Sequence, residues 1–381
     1  MIRNFIYRIA ICCSCLLAGC LCCSSKNDIQ QIKPTVEILQ IDSMPDIKIL
    51  SEIRVRNNLV YLTYESRGEY GQRHVKQYTC NEETGTLNYD KEFFKKDNGY
   101  YQLFAPSLFE DNNGVMYVYD RDIPSISIVD ADGMANSTGK HLITTSAKAP
   151  YTLVQEARQA FYKSSDEYLF IGREPYGGTQ ALFISHNNTD SISINEVCKI
   201  VYDEDRPSWI INFGKAAYNH ENQIVAYAYQ LYPVVQFIDL KNNDLYTLVL
   251  PNISTDSIVT EGTDIWEQNP VQFKDITSNK RFFYALYLGK TLSDIHNERQ
   301  SGKEESKIIK FDYCGQVIAI YTIDRCLESI GVSNDDSYII GYDSAKNNSG
   351  LTVKNQATPI SECRLYMIHT KGCDETPNDR I

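Results

Sequence analysis

The feature that most constrains this chain is a repeat. Six apolar-alternating runs begin at Leu59 (LVYLTY), Val115 (VMYVYD), Tyr168 (YLFIGR), Ile224 (IVAYAY), Phe282 (FFYALY) and Tyr338 (YIIGYD), with starts 56, 53, 56, 58 and 56 residues apart. Alternation with period two puts successive side chains on opposite faces of an extended segment, so each run is predicted to be a strand. Each is followed by a second strand and a turn of Asn, Asp or Gly, as in QYTCNEETG from Gln77, FISHNN from Phe183 and FIDLKNN from Phe237. These residues accept the positive φ of tight turns, which makes every pair a hairpin. A shorter run precedes each anchor and a fourth follows, as in HLITTS at His141, DLYTLVL at Asp244 and VIAIYTI at Val317. Four short antiparallel strands repeated six times predict an all-β chain, a six-bladed β-propeller.

A ring has to close. After Ile368 only a polar tail follows, so the sixth blade lacks an outer strand, while a spare one stands at Thr35 to Ile41 (TVEILQI). The expectation is that this N-terminal strand pairs with Arg364 to His369 and closes the last blade, which removes an exposed sheet edge.

Ahead of the repeats, Arg3 and Arg8 precede an apolar run from about Ile9 to Ala18 and the tetrapeptide Leu17-Ala18-Gly19-Cys20. Charge, a short apolar core and small residues before a cut site make a secretory signal, and the run is too short to span a bilayer. Leu-Ala-Gly-Cys resembles the lipobox of bacterial lipoproteins. That resemblance implies cleavage before Cys20 and acyl chains, palmitate among them, on its sulfur and new amine. The chain thus divides into a signal at 1–19, a lipidated cysteine with a flexible stalk at 20–33, the propeller at 34–370 and a polar tail at 371–381. Lipobox and repeats together resemble the TolB-like six-bladed propeller lipoproteins of Bacteroidetes. This likeness implies a Gram-negative envelope location, in the outer membrane, and says little about activity. Asp-Ser followed by an apolar residue, at Asp42, Asp190, Asp256 and Asp343, is similar to an O-glycosylation sequon used in that envelope.

The formal charge is −12, and removing residues 1–19, with two arginines and no acids, takes it to −14. An acidic chain is a poor partner for nucleic acid or anionic headgroups. Its 27 tyrosines favour strands. Six cysteines lie in the leader and six beyond it (Cys80, Cys198, Cys314, Cys326, Cys363, Cys373). They show no CxxC spacing, so no zinc site is expected. Cys314 with Cys326 and Cys363 with Cys373 are the nearest pairs for disulfides, and buried free thiols are the other reading.

The search for chemistry finds no G-x-S-x-G, no H-E-x-x-H, no phosphate loop and no EF-hand, so no catalytic residue, metal or cofactor is assigned. Propellers gather function on one face, where crossings between the second and third strands meet the connections between blades. Counting past each anchor brings Glu65, then Asp120 with Arg121, then Arg173 with Glu174 to that rim. These fit either a polar pocket with arginines for carboxylate or phosphate, or ion pairs between neighbouring blades. Tyr229, Tyr232, Trp209 and Trp266 fall on crossings and connections, where they line the mouth or wedge between blades. The insertion at Lys290 to Glu305 is charged and poor in apolar residues, which predicts disorder. The resulting reading is non-enzymatic: a scaffold binding an envelope protein, a small molecule or a glycan, tethered to the bilayer through Cys20. The alternative is a lactonase-like hydrolase or lyase with a metal among Glu65, Asp120 and Glu174.

Overall fold

A computed structural model describes residues 29–66, 73–93, 106–111, 113–120, 125–129, 135–136, 157–173, 178–187, 192–250, 258–260, 265–344 and 364–370. The six runs are the second strands of six separate antiparallel sheets. Blade 1 comprises Ile47–Arg56, Leu59–Ser66, Arg73–Asn81 and Thr86–Phe93, and blade 2 Pro106–Glu110, Met116–Asp120, Ser125–Val129 and Ala135–Asn136. Blade 3 comprises Gln159–Ser164, Glu167–Arg173, Gln180–Asn187 and Ile192–Lys199, and blade 4 Gly214–Asn219, Ile224–Tyr229, Val234–Asp239 and Asp244–Val249. Blade 5 comprises Val271–Ser278, Phe283–Lys290, Ser306–Phe311 and Val317–Ile323, and blade 6 Ser329–Val332, Tyr338–Asp343 and Arg364–His369. First strands of neighbouring blades touch one another, which puts them around the axis.

The core is not one mass but six apolar interfaces between blades. Val60, Leu62 and Tyr64 meet Tyr338, Ile340 and Tyr342 where blade 1 follows blade 6. Equivalent clusters fill the other five junctions among the described residues. Because each blade is covered on both faces, second strands such as Ile224–Tyr229 are buried throughout rather than on alternate residues. Tyrosine supplies most of the largest fully buried side chains. Its ring wedges between sheets while its hydroxyl reaches a polar partner, as from Tyr338 to the Asn57 carbonyl at 3.2 Å and from Tyr227 to that of Asn212 at 2.9 Å.

The ring closes as expected. Val36–Ile38 pairs antiparallel with Arg364–His369, and the amides of Leu39 and His369 bond to the carbonyls of Leu365 and Thr35. The pairing is shorter than Thr35 to Ile41, because Gln40–Ile41 leaves to run parallel with the outer strand of blade 1. The last residues of the segment read as a stalk are not stalk. Gln30–Ile32 runs parallel on the outer strand of blade 5, so one strap crosses blades 5, 6 and 1. The N-terminal end of the described residues therefore first meets the ring at blade 5. Unpaired backbone along an outer strand recruits any extended segment within reach.

The insertion of blade 5 is a further correction. Leu292–Ser301 is an α-helix with Thr291 as N-cap, a capping box to Asp294, and Gly302 closing its C-terminus at φ 67°. Composition pointed to disorder because apolar residues are few. The helix needs only Ile295, buried against Val271, Leu288 and Cys326, since ion pairs hold the rest. Lys290 meets Glu298 at 2.6 Å, and Arg299 reaches Glu328 at 3.2 Å and Asp343 at 3.1 Å on blade 6.

Candidate functional site

Chain direction places the ends of the second strands, the starts of the third and first strands and the blade connections on one face of the ring. Glu65, Asp120 and Arg173 all lie there, at the ends of their second strands. Arg121, Glu174 and Cys20 lie outside the described residues. Glu65 is 5% exposed and matched within its own blade, by Lys48 at 2.5 Å from the first strand and Arg73 at 3.5 Å from the third. Arg73 is its direct cross-strand partner. Asp120 is buried at its strand end. Glu65 is thus ion-paired, but within its own blade rather than with a neighbouring one, through two cations that strand counting did not single out.

Arg173 behaves differently. Its guanidinium carbon sits 5.0 Å from the ring centroid of Trp209, and that of Arg158 sits at the same distance. Arg158 also lies 4.6 Å from the Phe213 ring, and Phe213 meets Trp266 edge-on, with centroids 5.7 Å apart and planes at 87°. The local chain explains the placement. Trp209 is held by its amide on the Gly178 carbonyl at 2.7 Å, and Gly178 turns the crossing of blade 3 at φ 67°. Arg158 stands just before the first strand of blade 3, its amide on the Ile171 carbonyl at 2.8 Å. Phe213 stands just before that of blade 4, its carbonyl accepting from Gln230 at 2.8 Å. Trp266 rides on the short helix Ile265–Gln268 between blades 4 and 5. Arg158 is exposed, and Arg173, Trp209, Phe213 and Trp266 are half-buried. Two tryptophans from separate connections are thus joined into one wall by residues the sequence reading missed. Nothing distinguishes Arg158 or Phe213 in the repeat except a position just before a first strand.

Tyr229 and Tyr232 do not line the mouth. Both are fully buried in the junction of blades 3 and 4, with Tyr229 donating to Gln236 at 2.8 Å and Tyr232 packed on Tyr202 at 4.9 Å. Crossing position alone cannot tell a loop residue that points out from one that folds back between blades.

Below the mouth a polar network crosses the axis. Lys215 of blade 4 donates to the Asp275 carboxylate of blade 5 at 2.9 Å and to the Ser51 carbonyl of blade 1 at 3.3 Å. The other Asp275 oxygen accepts from the Ser329 hydroxyl at 2.5 Å and the Ile330 amide at 3.0 Å on blade 6. Four first strands are thereby tied across the channel.

His74 lies 2.9 Å from Glu92 and stacks on Tyr64, and His186 lies 2.9 Å from Glu167. Cys80, Cys198, Cys314 and Cys326 are free thiols, so Cys314 and Cys326 are not joined, while Cys363 and Cys373 lie outside the described residues. Among the described residues no group of three or more His, Cys, Asp or Glu is arranged to hold a metal ion.

No family model and no curated protein matches the sequence. Solved structures do. A member of the DUF4221 family from Bacteroides vulgatus is 11% identical, with 89% of this chain and 96% of that chain covered at a TM-score of 0.53. A calcium-binding protein, regucalcin, from Agrobacterium tumefaciens is 8% identical over 90% and 97% of the two chains, with a TM-score of 0.49. A candidate exported protein from Bacteroides fragilis is 11% identical over 90% and 99%, with a TM-score of 0.48. The likeness to the DUF4221 protein is one of fold, along nearly the whole of both chains.

Proposed function

We propose that this chain is an exported lipoprotein of the TolB-like kind, anchored in the outer membrane of a Gram-negative envelope through acylated Cys20, and that its propeller is a binding scaffold. The signal and lipobox support the anchor: two or three acyl chains hold durably, at about 0.8 kcal/mol per buried methylene. Among the described residues no helix is long and apolar enough to cross a membrane. One observation carries the binding role. The wall of Arg158, Trp209, Arg173, Phe213 and Trp266 leaves large aromatics half-exposed on the loop face, outside the interface clusters that hold the fold. Half-exposed aromatic and arginine side chains grouped on one face are what recognition surfaces use.

A metal-dependent hydrolase draws less support, because Glu65 of its acid set is held between Lys48 and Arg73. Affinity capture from detergent-solubilised envelope with the full-length protein tests the scaffold. A defined partner recovered by the wild type and lost from a Trp209→Ala/Trp266→Ala variant is expected. Recovery of nothing, alongside turnover of lactone or saccharide substrates, refutes it. Radiolabelled palmitate incorporated by the wild type but not by Cys20→Ala checks the anchor.

A further inference from the structure

The outer strand of a blade has one backbone edge that its own sheet does not pair. Such an edge recruits other extended chains unless it is covered, short, charged or bulged. Among the described residues, five of the six blades meet one of these conditions. The strap covers blades 5, 6 and 1, and its own pieces, Gln30–Ile32, Val36–Ile38 and Gln40–Ile41, are short. The outer strand of blade 2 is only Ala135–Asn136, and that of blade 3, Ile192–Lys199, carries Glu196 and Lys199 and a shift of register against its neighbour. Blade 4 differs. Asp244–Val249 is six residues long, ends its sheet, keeps register throughout and holds no charge after Asp244.

One hydrogen bond fixes which groups this edge offers. The Leu250 amide donates inward to the Pro233 carbonyl at 2.9 Å. In an antiparallel ladder the N–H and C=O of one residue point to the same side, and the side alternates along the strand. Leu248 and Tyr246 therefore also bond inward, while Leu245, Thr247 and Val249 direct their backbone groups outward. The side chains of these same three are exposed, Leu245 by 44% and Val249 by 42%, whereas Tyr246, Leu248 and Leu250 pack on the junction with blade 5.

This alternation is complementary to itself. Two copies laid antiparallel about a two-fold axis at Thr247 set that residue opposite the partner's Thr247 and set Leu245 opposite the partner's Val249. Each such pair exchanges two hydrogen bonds and brings its side chains together on one face. A slip of one residue would put outward groups against inward ones, so the register is determined. Charge agrees with it: Asp244 meets the partner's Leu250 rather than another acid, in a chain of net charge −12.

We infer that blade 4 pairs edge to edge with a second copy of this chain through Asp244–Val249, so that two four-stranded sheets become one continuous sheet. The contact lies apart from the wall on the loop face. On the reading of Cys20 as an anchor, two copies on one membrane also meet this edge at raised effective concentration. Cys20 stands nine residues before Ile29, a reach of about 30 Å. The strap then begins on blade 5, beside the turn whose Tyr313 carbonyl accepts from Tyr246 of this strand.

Sedimentation of the full-length protein in density-matched detergent is expected to give twice the chain mass, and hydrogen exchange should show the amides of Leu245, Thr247 and Val249 protected. Leu245→Lys/Val249→Lys places like charges opposite one another across the two-fold axis, and Thr247→Pro removes a central donor without touching an inward hydrogen bond. Both variants should sediment as single copies. Their outward amides should then exchange freely while those of Tyr246, Leu248 and Leu250 stay protected, which shows the blade intact. Asn195→Lys, on the edge of blade 3, should leave the dimer unchanged. The inference is overturned if the wild type is a single copy at every concentration reached, or if the blade 4 variants dimerise as it does. Single copies with protected outward amides would mean that the chain covers this edge itself, which also excludes the second copy. A dimer kept by Cys20→Ala supports the edge whether or not the anchor reading holds, and association lost with Cys20→Ala assigns it to the acyl chains and overturns the pairing.

Discussion

Asp275 is the residue whose loss tests most sharply how this ring is held at its centre. Its carboxylate is 6% exposed as a residue and joins Lys215 of blade 4 to Ser329 and Ile330 of blade 6. Asp275→Ala removes one ion pair and three hydrogen bonds to a charged acceptor, from the Ser329 hydroxyl and the Ile330 and Ile276 amides, and leaves those donors without it. Hydrogen bonds to charged groups contribute roughly 1.5–3 kcal/mol each, and removing one member of a buried pair costs about 3–5 kcal/mol. The Lys215 side chain is 33% exposed, so water screens part of the loss. The expected cost is about 3 kcal/mol, at the lower end of the range for a buried pair. Lys215→Met leaves the carboxylate three of its donors and should cost about 1–2 kcal/mol. Urea unfolding followed by fluorescence gives each value from the midpoint and slope. The double variant should show a coupling of about 1–2 kcal/mol, against under about 0.5 kcal/mol for the exposed pair of Lys280 and Glu221, 3.4 Å apart. Additivity of Asp275→Ala and Lys215→Met would refute the idea that the cross-channel contact ties the blades, whatever the single variants cost.

Other outcomes follow from the same geometry. A chain starting at residue 34 loses only the strap on blade 5 and should fold with a lowered melting temperature, whereas one starting at residue 43 loses the closing strand and should be insoluble or molten by near-ultraviolet circular dichroism. Thr291→Ala removes the capping box of the blade 5 helix, worth about 1 kcal/mol, and should speed amide exchange over residues 294–301 without moving the global transition. Burial pushes the Cys80 and Cys326 thiols up to about 11 and Cys198 to about 12, so a thiol reagent at pH 8 should label exposed Cys314 first and these three only on unfolding. Burial raises the Glu167 carboxyl, but the Lys163 hydrogen bond, with the charges of Lys163 and His186, outweighs it and holds the group below the usual carboxylate range. Its contribution is thus present at neutral pH and lost as pH falls through the folded value. Glu167→Gln should lose stability at pH 7, and its deficit against the wild type should shrink as pH falls through the folded value, by thermal melts across the acid range.

How much of this was legible beforehand differs by level. Blade number and the closing strand could be read because both are repeats of a local pattern: alternation sets which faces are apolar, and turn residues set where strands reverse. Leu59, Ile224 and Tyr338 announce their strands without any knowledge of neighbours. The helix at Leu292–Ser301 was missed although Thr291 and Asp294 carry a capping box, because its stability comes from Arg299 reaching acids on another blade. The wall was half visible: Trp209, Trp266 and Arg173 stood out by type and position, while Arg158 and Phe213 did not.

By itself, then, the sequence determined a six-fold ring and its closure by an N-terminal strand, and it carries a tetrapeptide ending at Cys20 that resembles a lipobox. Which aromatics wedge and which face out was decided only when the blades packed. Tyr229 at the end of a second strand and Trp209 on a blade connection both lie towards the loop face, yet one is sealed by Tyr202 and Tyr232 and the other is flanked by arginines. The same holds for charge, since Glu65 acquires its two cations from adjacent strands and Asp275 acquires Lys215 from the next blade. Lys215 and Asp275 lie sixty residues apart along the chain, and only the packing of one blade on the next brings them within hydrogen-bonding distance.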